Sequence, residues 1–161
     1  MTTRRIGLIA AVAAGVFVLD RVTKAAVVTS IPLHETRDII GPYLRLSHVR
    51  NTGAAFGLAQ DRTTLLSVLS IFAVLAILYY YRTIAMRSPW LAGTLGMQLG
   101  GAFGNLVDRL GQGYVVDFVD VGLPDGPRFW SFNVADSSIV VGIFAVTFLL
   151  WLSERQRTEP V

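Results

Sequence analysis

Four long apolar segments constrain the fold of this 161-residue chain more than any other feature of its sequence. They cover about residues 6–28, 65–81, 90–107 and 137–151. A helix that crosses a bilayer needs roughly 20 mostly apolar residues, or fewer where its ends reach into the interface. Because 53% of the residues are hydrophobic, 16% are charged and the mean hydropathy is +0.55, an ordinary soluble domain is excluded. The sequence therefore predicts an α-helical polytopic membrane protein with four transmembrane helices in one domain, residues 1–161.

The distribution of charge predicts which ends of these helices face the cytoplasm. Short cytoplasmic loops of membrane proteins are enriched in Lys and Arg. The N-terminal segment, the connection near residues 82–89 and the C-terminal segment together carry six Lys and Arg against two Asp and Glu, whereas the rest of the chain carries eight against nine. We therefore expect both termini in the cytoplasm and two outward loops, about residues 29–64 and 108–136.

The first apolar segment also has features of a cleavable signal peptide. It has a basic start, an apolar run from Ile6 to Leu19 and small residues at Ala25 and Ala26. Cleavage, however, would leave an odd number of spans and would split the pattern of basic residues. We therefore predict that this segment is retained as the first transmembrane helix.

The first outward loop has the pattern of a structured region. Residues 43–50 alternate apolar and polar side chains, which is typical of a half-exposed strand, and residues 51–53 are typical of a turn. The following residues, 54–58, are apolar and contain glycine. We expect a small sheet resting on the membrane surface, followed by a segment that dips into the interface or covers a cavity.

The absence of cysteine limits the chemistry that the chain can perform. Disulfides, a thiol nucleophile, cysteine-ligated zinc and lipidation of the chain itself are excluded. We expect no metal, no cofactor and no nucleic acid to be bound.

Two aspartates lie near the outward ends of the last two apolar segments. A pair of carboxylates there is the minimum equipment for hydrolysing a peptide bond without a metal, a thiol or an activated serine. Each also has a structural interpretation. Asp136, followed by two serines and an apolar run, is a good N-cap for the fourth helix, and Asp117 fits a short surface strand in which it pairs with Arg128.

A third carboxylate lies within the first apolar segment. Asp20 follows Ile6 by about 21 Å of helix, which is still inside a hydrocarbon core of roughly 30 Å. Two interpretations are open. Asp20 and Lys24 form an ion pair at i, i+4 that snorkels to the outer surface, or they support a neighbouring site.

The third apolar segment is rich in glycine. Gly96, Gly100 and Gly104 recur every four residues, and Gly93 and Gly101 extend the smooth surface, so another helix can approach closely. Beyond them come three polar residues at i, i+3 and i+4, which share one face of the helix end: Asn105, Asp108 and Arg109. We expect Asp108 and Arg109 to pair at the membrane edge. With Asn105 and Asn133, they converge on the outer edge where Asp117 and Asp136 are expected.

These residues fall in five ordered motifs that resemble those of the bacterial lipoprotein signal peptidases, also called type II signal peptidases. The motifs are Asp20-Arg21-Val22-Thr23-Lys24, Asn51-Thr52-Gly53-Ala54-Ala55-Phe56, Gly104-Asn105-Leu106-Val107-Asp108-Arg109, Val115-Val116-Asp117-Phe118 and Phe132-Asn133-Val134-Ala135-Asp136. The resemblance runs from the first span to the fourth.

The resemblance implies that Asp117 and Asp136 are the catalytic pair of an intramembrane aspartyl endopeptidase at the outer face of the bacterial cytoplasmic membrane. Residues implied to bind substrate or support the site are Asp20, Lys24, Asn51, Gly101, Asn105, Asp108, Arg109 and Asn133. The outward loop corresponds to the family's small β-cradle and mobile lid. The implied partners are membrane lipids, prolipoproteins cleaved before a diacylglyceryl-modified cysteine, and cyclic peptide antibiotics of the globomycin type. We expect the enzyme to be a monomer.

One departure from the family pattern is visible, and other functions are conceivable. Members of the family often have a proline just before the Phe-Asn of the fifth motif, whereas this chain has Trp130-Ser131, so the path of the loop before it is open. A proton-coupled transporter would also use membrane carboxylates, but near the midplane and commonly in a repeated architecture. A structural membrane subunit would not explain the clustered Asn and Asp, and the Gly-x-Gly-Asp signature of other intramembrane aspartyl proteases is absent.

Overall fold

The computed structural model describes residues 2–53, 62–85 and 87–158. Within these ranges the chain forms four helices and three strands, in the order α1 (Thr2–Ser30), β1 (Thr36–Ile40), β2 (Leu44–Asn51), α2 (Thr63–Ile84), α3 (Pro89–Gln112), β3 (Val115–Val121) and α4 (Val134–Thr158). Each helix contains one predicted apolar segment and extends beyond it. The predicted lid segment, residues 54–58, lies outside the described residues.

Helix α3 is the central element, because it packs against α1, α2 and α4. Its first turn is fixed by the Ser88 side chain, which accepts a hydrogen bond from the backbone N–H of Trp90, and by Pro89, whose fixed φ suits the first helical position. Its C-terminus closes at Gly113, whose φ of 80° allows its N–H to reach the Arg109 carbonyl oxygen. Both ends of α3 are therefore specified locally by sequence.

The glycines of α3 allow close packing, as predicted. A Cβ atom at Gly96 would lie 2.8 Å from Val12 Cβ, and one at Gly100 would lie 2.5 Å from the Ala13 carbonyl oxygen. Helix α1 thus approaches α3 too closely for any larger residue at these positions. Gly93 was expected to extend this surface, but a Cβ there would meet no atom within 4 Å, so it takes no part in the contact.

The helix surfaces that point away from the protein interior are apolar. Two stretches, Thr3–Ser30 and Val134–Gln156, are long and apolar enough to cross a membrane, and Thr63–Tyr79 is a shorter apolar stretch. Large side chains such as Phe72 and Phe144 are 64% and 72% exposed. Apolar surface on this scale needs a lipid environment, so the chain is a membrane protein.

The three strands form one antiparallel sheet in the order β1-β2-β3. Strand β2 confirms the strand predicted from the alternation at residues 43–50. The sheet joins the helices through a buried cluster of Val27 and Ile31 at the end of α1 with Phe118 on β3. Its position fixes where β3 presents its side chains relative to the helix ends.

The segment after β3 folds back along that strand. Gly122 bridges to Arg128, and Val119 bridges to Phe132 in antiparallel pairing. The Phe132 carbonyl oxygen accepts from the N–H groups of both Phe118 and Val119, at 3.0 and 2.8 Å. This pairing resolves the path of the loop that the family resemblance left open, and it delivers the chain to the start of α4 beside β3.

Candidate active site

The two aspartates come from a strand and a helix that the returning loop brings together. Asp117 lies in β3 and is 3% exposed, and Asp136 lies in the first turn of α4. The alternative interpretation of Asp117 as a surface carboxylate paired with Arg128 is wrong. Arg128 Nε instead donates to Asp120 Oδ1 at 2.8 Å, because the loop that folds back along β3 places Arg128 beside Asp120.

Asn133 binds both aspartates. Its Nδ2 donates to Asp117 Oδ1 at 2.7 Å, and its Oδ1 accepts from the Asp136 backbone N–H at 2.9 Å. Its own backbone N–H donates to Asp136 Oδ2 at 3.2 Å. These reciprocal bonds form a capping box in which Asn133 is the N-cap and Asp136 is the third helical residue. The interpretation of Asp136 as the N-cap is therefore wrong by three positions.

Each carboxylate also accepts a bond from a second amide. Asn51 Nδ2 donates to Asp117 Oδ2 at 2.8 Å, and Asn105 Nδ2 donates to Asp136 Oδ1 at 2.8 Å. Burial, followed by the negative charge of Asp136, raises the pKa of Asp117 to about 7, although the bonds from Asn51 and Asn133 oppose this. Asp117 is thus able to hold or release a proton near neutral pH.

A buried cluster of charges lies beneath the pair. Lys24 Nζ donates to Asp20 Oδ2 at 2.7 Å, to Asp108 Oδ2 at 2.6 Å and to Asn105 Oδ1 at 2.9 Å. Arg21 donates to the other oxygen of Asp108. Lys24 is only 3% exposed, so the predicted ion pair with Asp20 exists but does not snorkel to the surface. The cluster instead lies directly beneath the two carboxylates, where the other interpretation placed it.

This cluster is connected directly to the first turn of α4. Asp20 Oδ1 accepts from the Ala135 backbone N–H at 3.0 Å, which is one of the donors left free at a helix start. Close packing keeps this contact. A Cβ at Gly104 would lie 2.9 Å from Asp20 Oδ2, and a Cβ at Gly101 would lie 2.4 Å from the Ala135 carbonyl oxygen. Helices α1, α3 and α4 therefore meet at the base of Asp136.

Arg109 has a different role from the one that its sequence position suggested. The expected Asp108–Arg109 pair is wrong, because Asp108 turns toward Lys24 and Arg21 on α1. Arg109 lines the cavity that contains the aspartates, and its Nη2 donates to the Gly53 carbonyl oxygen at 3.3 Å. Its Nε is buried without a hydrogen-bond partner among the described residues. Neighbouring residues of a helix point about 100° apart, which separates these two side chains.

A cavity of about 360 Å³ opens onto the two carboxylates. Its polar end contains Asn51, Arg109, Asp117 and Asp136. Its apolar walls contain Val115, Phe129, Trp130, Phe132, Val140 and Val141. The cavity therefore places polar chemistry at one end of an otherwise apolar space.

Comparison with known proteins identifies the family. The family model described as signal peptidase (SPase) II matches residues 12–152. A lipoprotein signal peptidase of Symbiobacterium thermophilum is 41% identical over 141 residues, covering 88% of this chain and 92% of the relative. One from Mycobacterium avium is 42% identical over 153 residues, covering 91% of this chain and 80% of the relative. The chain belongs to the signal peptidase II family.

Solved structures agree with this signal peptidase II fold. A bacterial membrane enzyme solved by the in meso method at 2.3 Å resolution superimposes with a TM-score of 0.87 at 29% identity, covering 97% of this chain and 94% of the other. A second, solved at 1.9 Å, gives a TM-score of 0.80 at 30% identity, covering 90% and 93%. Signal peptidases II are proteases, so the chain is a member of a family of membrane-bound hydrolases.

The signal peptidase II motifs account for most, but not all, of the residues around the aspartates. The structure brings together the eight residues predicted to bind substrate or support the pair, with the partners of Asp108 and Arg109 corrected as described. Sequence reasoning assigned no role to Arg21, although it lies next to Asp20 in the first motif and contacts Asp108. It also missed the aromatic wall of Phe129 and Trp130, for which the sequence offers no periodic signal.

Proposed function

We propose that Asp117 and Asp136 are the catalytic pair of an intramembrane aspartyl endopeptidase that removes the signal peptide from lipid-modified prolipoproteins. The observation that carries this proposal is the side chain of Asn133, which binds Asp117 through Nδ2 and the first turn of Asp136 through Oδ1. A single buried residue thus fixes the two carboxylates relative to each other. The family relationship supplies the class of substrate, because relatives of similar length are lipoprotein signal peptidases.

The chemistry follows from a pair that shares one proton. Two buried carboxylates that interact electrostatically cannot both ionise without a large cost. The ionised partner takes a proton from water as the water attacks the scissile carbonyl carbon. The protonated partner donates to the carbonyl oxygen and later to the leaving amine. The raised pKa of Asp117 keeps this one-proton state available near neutral pH, and the proton belongs to the pair as a unit.

The cavity suits a substrate that is apolar on one side of the scissile bond. Its walls of valine and aromatic side chains match diacylglyceryl chains and the apolar part of a signal peptide. Its polar end presents Arg109, which is placed to donate to a substrate carbonyl oxygen. Asn51, Asn105 and Asn133 orient the carboxylates, whereas Asp20, Lys24 and Asp108 hold the helix ends that carry them. Gly101 leaves room for α4 to approach.

We further propose the orientation in a bacterial cytoplasmic membrane. Helices α2 and α3 have 22 and 24 residues, which correspond to roughly 33 and 36 Å, enough to cross a hydrocarbon core together with α1 and α4. Four spans would put both termini on one side of the membrane, and the basic residues of the short segments favour the cytoplasm for that side, which leaves the sheet outside. The active site then faces outward, where the precursor emerges. The enzyme acts as a monomer, and globomycin-type cyclic peptides would occupy the same cavity.

The cleavage assay that tests this proposal compares two forms of one precursor. Purified enzyme in lipid is incubated separately with the diacylglyceryl-modified precursor and with the same precursor without the lipid. The cleavage products are identified by mass spectrometry. We expect cleavage just before the modified cysteine and little cleavage of the unmodified form. Equal rates on both forms, or cleavage at another bond, would refute the assigned substrate. A proton-coupled transporter would cleave neither, and nothing in the family or the geometry supports that alternative.

A further inference from the structure

A second cavity lies on the outward sheet, next to the one that holds the aspartates. Its volume is about 400 Å³, and its polar side chains include His34, Glu35, Ser47, Asp120 and Arg128. Nothing in the mechanism above uses it. The two cavities share Phe129, Trp130 and Ser131 as a common wall.

The second cavity begins one strand away from the catalytic pair. Val49 lines it, and Val49 is the register partner of Asp117 in the β2–β3 ladder. Adjacent strands are about 4.8 Å apart, and one extended residue spans about 3.3 Å. A chain that leaves the scissile bond in extended form therefore reaches this cavity within its first few residues.

The floor of the second cavity is already formed. Arg128 donates to Asp120 Oδ1 at 2.8 Å and to the Pro42 carbonyl oxygen at 2.8 Å, and Ser47 Oγ donates to Asp120 Oδ2 at 3.3 Å. Its rim is also fixed. The His34 N–H donates to the His48 carbonyl oxygen at 2.9 Å. A preformed site loses little conformational entropy when a flexible peptide binds.

The chemistry of this cavity differs from that of the first. The charge of Arg128 is offset by Asp120, which leaves Glu35 as the remaining formal charge among the lining residues, with histidine counted as neutral. Opposite the aromatic wall that it shares with the first cavity, the polar side chains and the net negative charge of this cavity suit a hydrated peptide segment rather than acyl chains.

We propose that this second cavity binds the polypeptide segment that follows the modified cysteine of the precursor, with a preference for segments that carry a positive charge. The proposal rests on the proposed function, because it assigns the side of the scissile bond that the first cavity does not hold. The apolar side of the substrate then remains in the first cavity and in lipid. The segment that follows the modified cysteine then passes over Trp130 and Ser131 toward water.

The first test varies substrate length and blocks the cavity. Two lipidated substrates are compared, one ending directly after the modified cysteine and one carrying about ten further residues, an extended length of roughly 33 Å. We expect wild-type kcat/KM to be about tenfold higher on the long substrate. Thr36→Trp places a large side chain in the cavity from the edge strand. It should lower kcat/KM on the long substrate to the value measured on the short substrate. The matched control is Arg37→Trp, because the next residue of a strand faces the opposite side, and it should change neither rate.

The second test uses charge and keeps the cavity open. For the wild-type enzyme, kcat/KM should be about two- to fivefold higher on a long substrate with lysine soon after the cysteine than on one with glutamate there. This ratio corresponds to the energy of an exposed charge pair. Glu35→Lys should reverse this preference and leave cleavage of the short substrate unchanged.

The outcomes separate this proposal from the function on which it rests. Equal wild-type rates on long and short substrates, an equal loss on both in Thr36→Trp, or an unchanged charge preference in Glu35→Lys would refute the second site. Cleavage of neither lipidated substrate before the cysteine would instead refute the proposed function itself.

Discussion

Asn133 and Asp136 hold each other by two reciprocal hydrogen bonds, from the Asp136 N–H to Asn133 Oδ1 at 2.9 Å and from the Asn133 N–H to Asp136 Oδ2 at 3.2 Å. The same contacts begin helix α4 and orient one member of the proposed catalytic pair. Folding of the helix start and alignment of the carboxylate are therefore one structural event. This relationship gives a way to separate the two effects by mutation.

The first prediction concerns the two groups of the Asn133 side-chain amide, the oxygen that caps α4 and the nitrogen that donates to Asp117. Asn133→Ala removes the helix cap and the bond to Asp117, so it should reduce the free energy of unfolding by about 1–2 kcal/mol and turnover by about 100-fold or more. Asn133→Ser retains an oxygen that can cap the helix but cannot donate to Asp117 from the same position. Its stability should stay close to that of wild type while its turnover falls. Thermal unfolding and cleavage rates of the two variants check this. Equal turnover in the Asn133→Ser and wild-type enzymes would mean that the bond to Asp117 is not needed.

The second prediction concerns Lys24. Lys24→Met leaves Asp20 and Asp108 buried without their shared cation, and breaking such a buried pair costs about 3–5 kcal/mol. Unfolding in lipid or detergent should show a large loss of stability. The matched control is Arg45→Met, which removes the more exposed pair with Asp38 and should cost less than about 1 kcal/mol. Similar losses in the two variants would remove the special role of the buried cluster.

Much of the site could be predicted from the sequence, because motifs preserve residue type and order. The pairing of Asp20 with Lys24 follows from their i, i+4 spacing, and the close approach of α3 to α1 follows from the repeated glycines. The partners of Asp108 and Arg109 could not be predicted in this way. Periodicity places both at one helix end, but only the position of α1 decides that Asp108 meets Lys24.

The helix cap and the cavity walls required tertiary information. Both Asn133 and Asp136 are suitable N-caps, and the sequence alone favoured the one nearer the two serines. The loop that folds back along β3 determines which residue is the N-cap. Its pairing with Val119 ends at Phe132, so the next residue, Asn133, stands at the start of the helix. The same pairing forms the aromatic wall, which carries no periodic signal.

The third prediction is a pH dependence. Burial and the charge of Asp136 raise the pKa of Asp117 from 3.8 to about 7. Between these values the folded protein retains a proton that the unfolded chain has lost, so this group lowers stability progressively as pH rises from about 4 to 7. Asp117→Asn should flatten that part of the stability curve. The wild-type kcat/KM should fall as pH rises through about 7, because the pair loses its shared proton. A rate that still increases above pH 8 would contradict the raised pKa.

The fourth prediction concerns topology. Single cysteines in this cysteine-free chain can be labelled in intact cells with a membrane-impermeant thiol reagent. Asp125→Cys, on the loop after β3, should react, whereas Arg87→Cys, on the connection before α3, should not. Arg87 is preferable to Ser88 because Ser88 caps α3. Labelling at Arg87→Cys without labelling at Asp125→Cys would invert the proposed orientation.

The final prediction tests the pair directly. Asp117→Asn and Asp136→Asn should each leave the protein folded but reduce cleavage by at least about 10²- to 10⁴-fold, since asparagine cannot exchange the proton. The two residues act on one proton, so the double variant should be scarcely slower than either single one. Asp125→Asn is the matched control, because it makes the same chemical change at an exposed loop position and should leave turnover unchanged. Asparagine at position 136 can still accept the bond from the Asn133 N–H, so α4 should begin at the same residue. A folded Asp136→Asn enzyme with most of its activity would therefore show that Asp136 serves only the capping box, and losses that simply add in the double variant would show that the aspartates act separately.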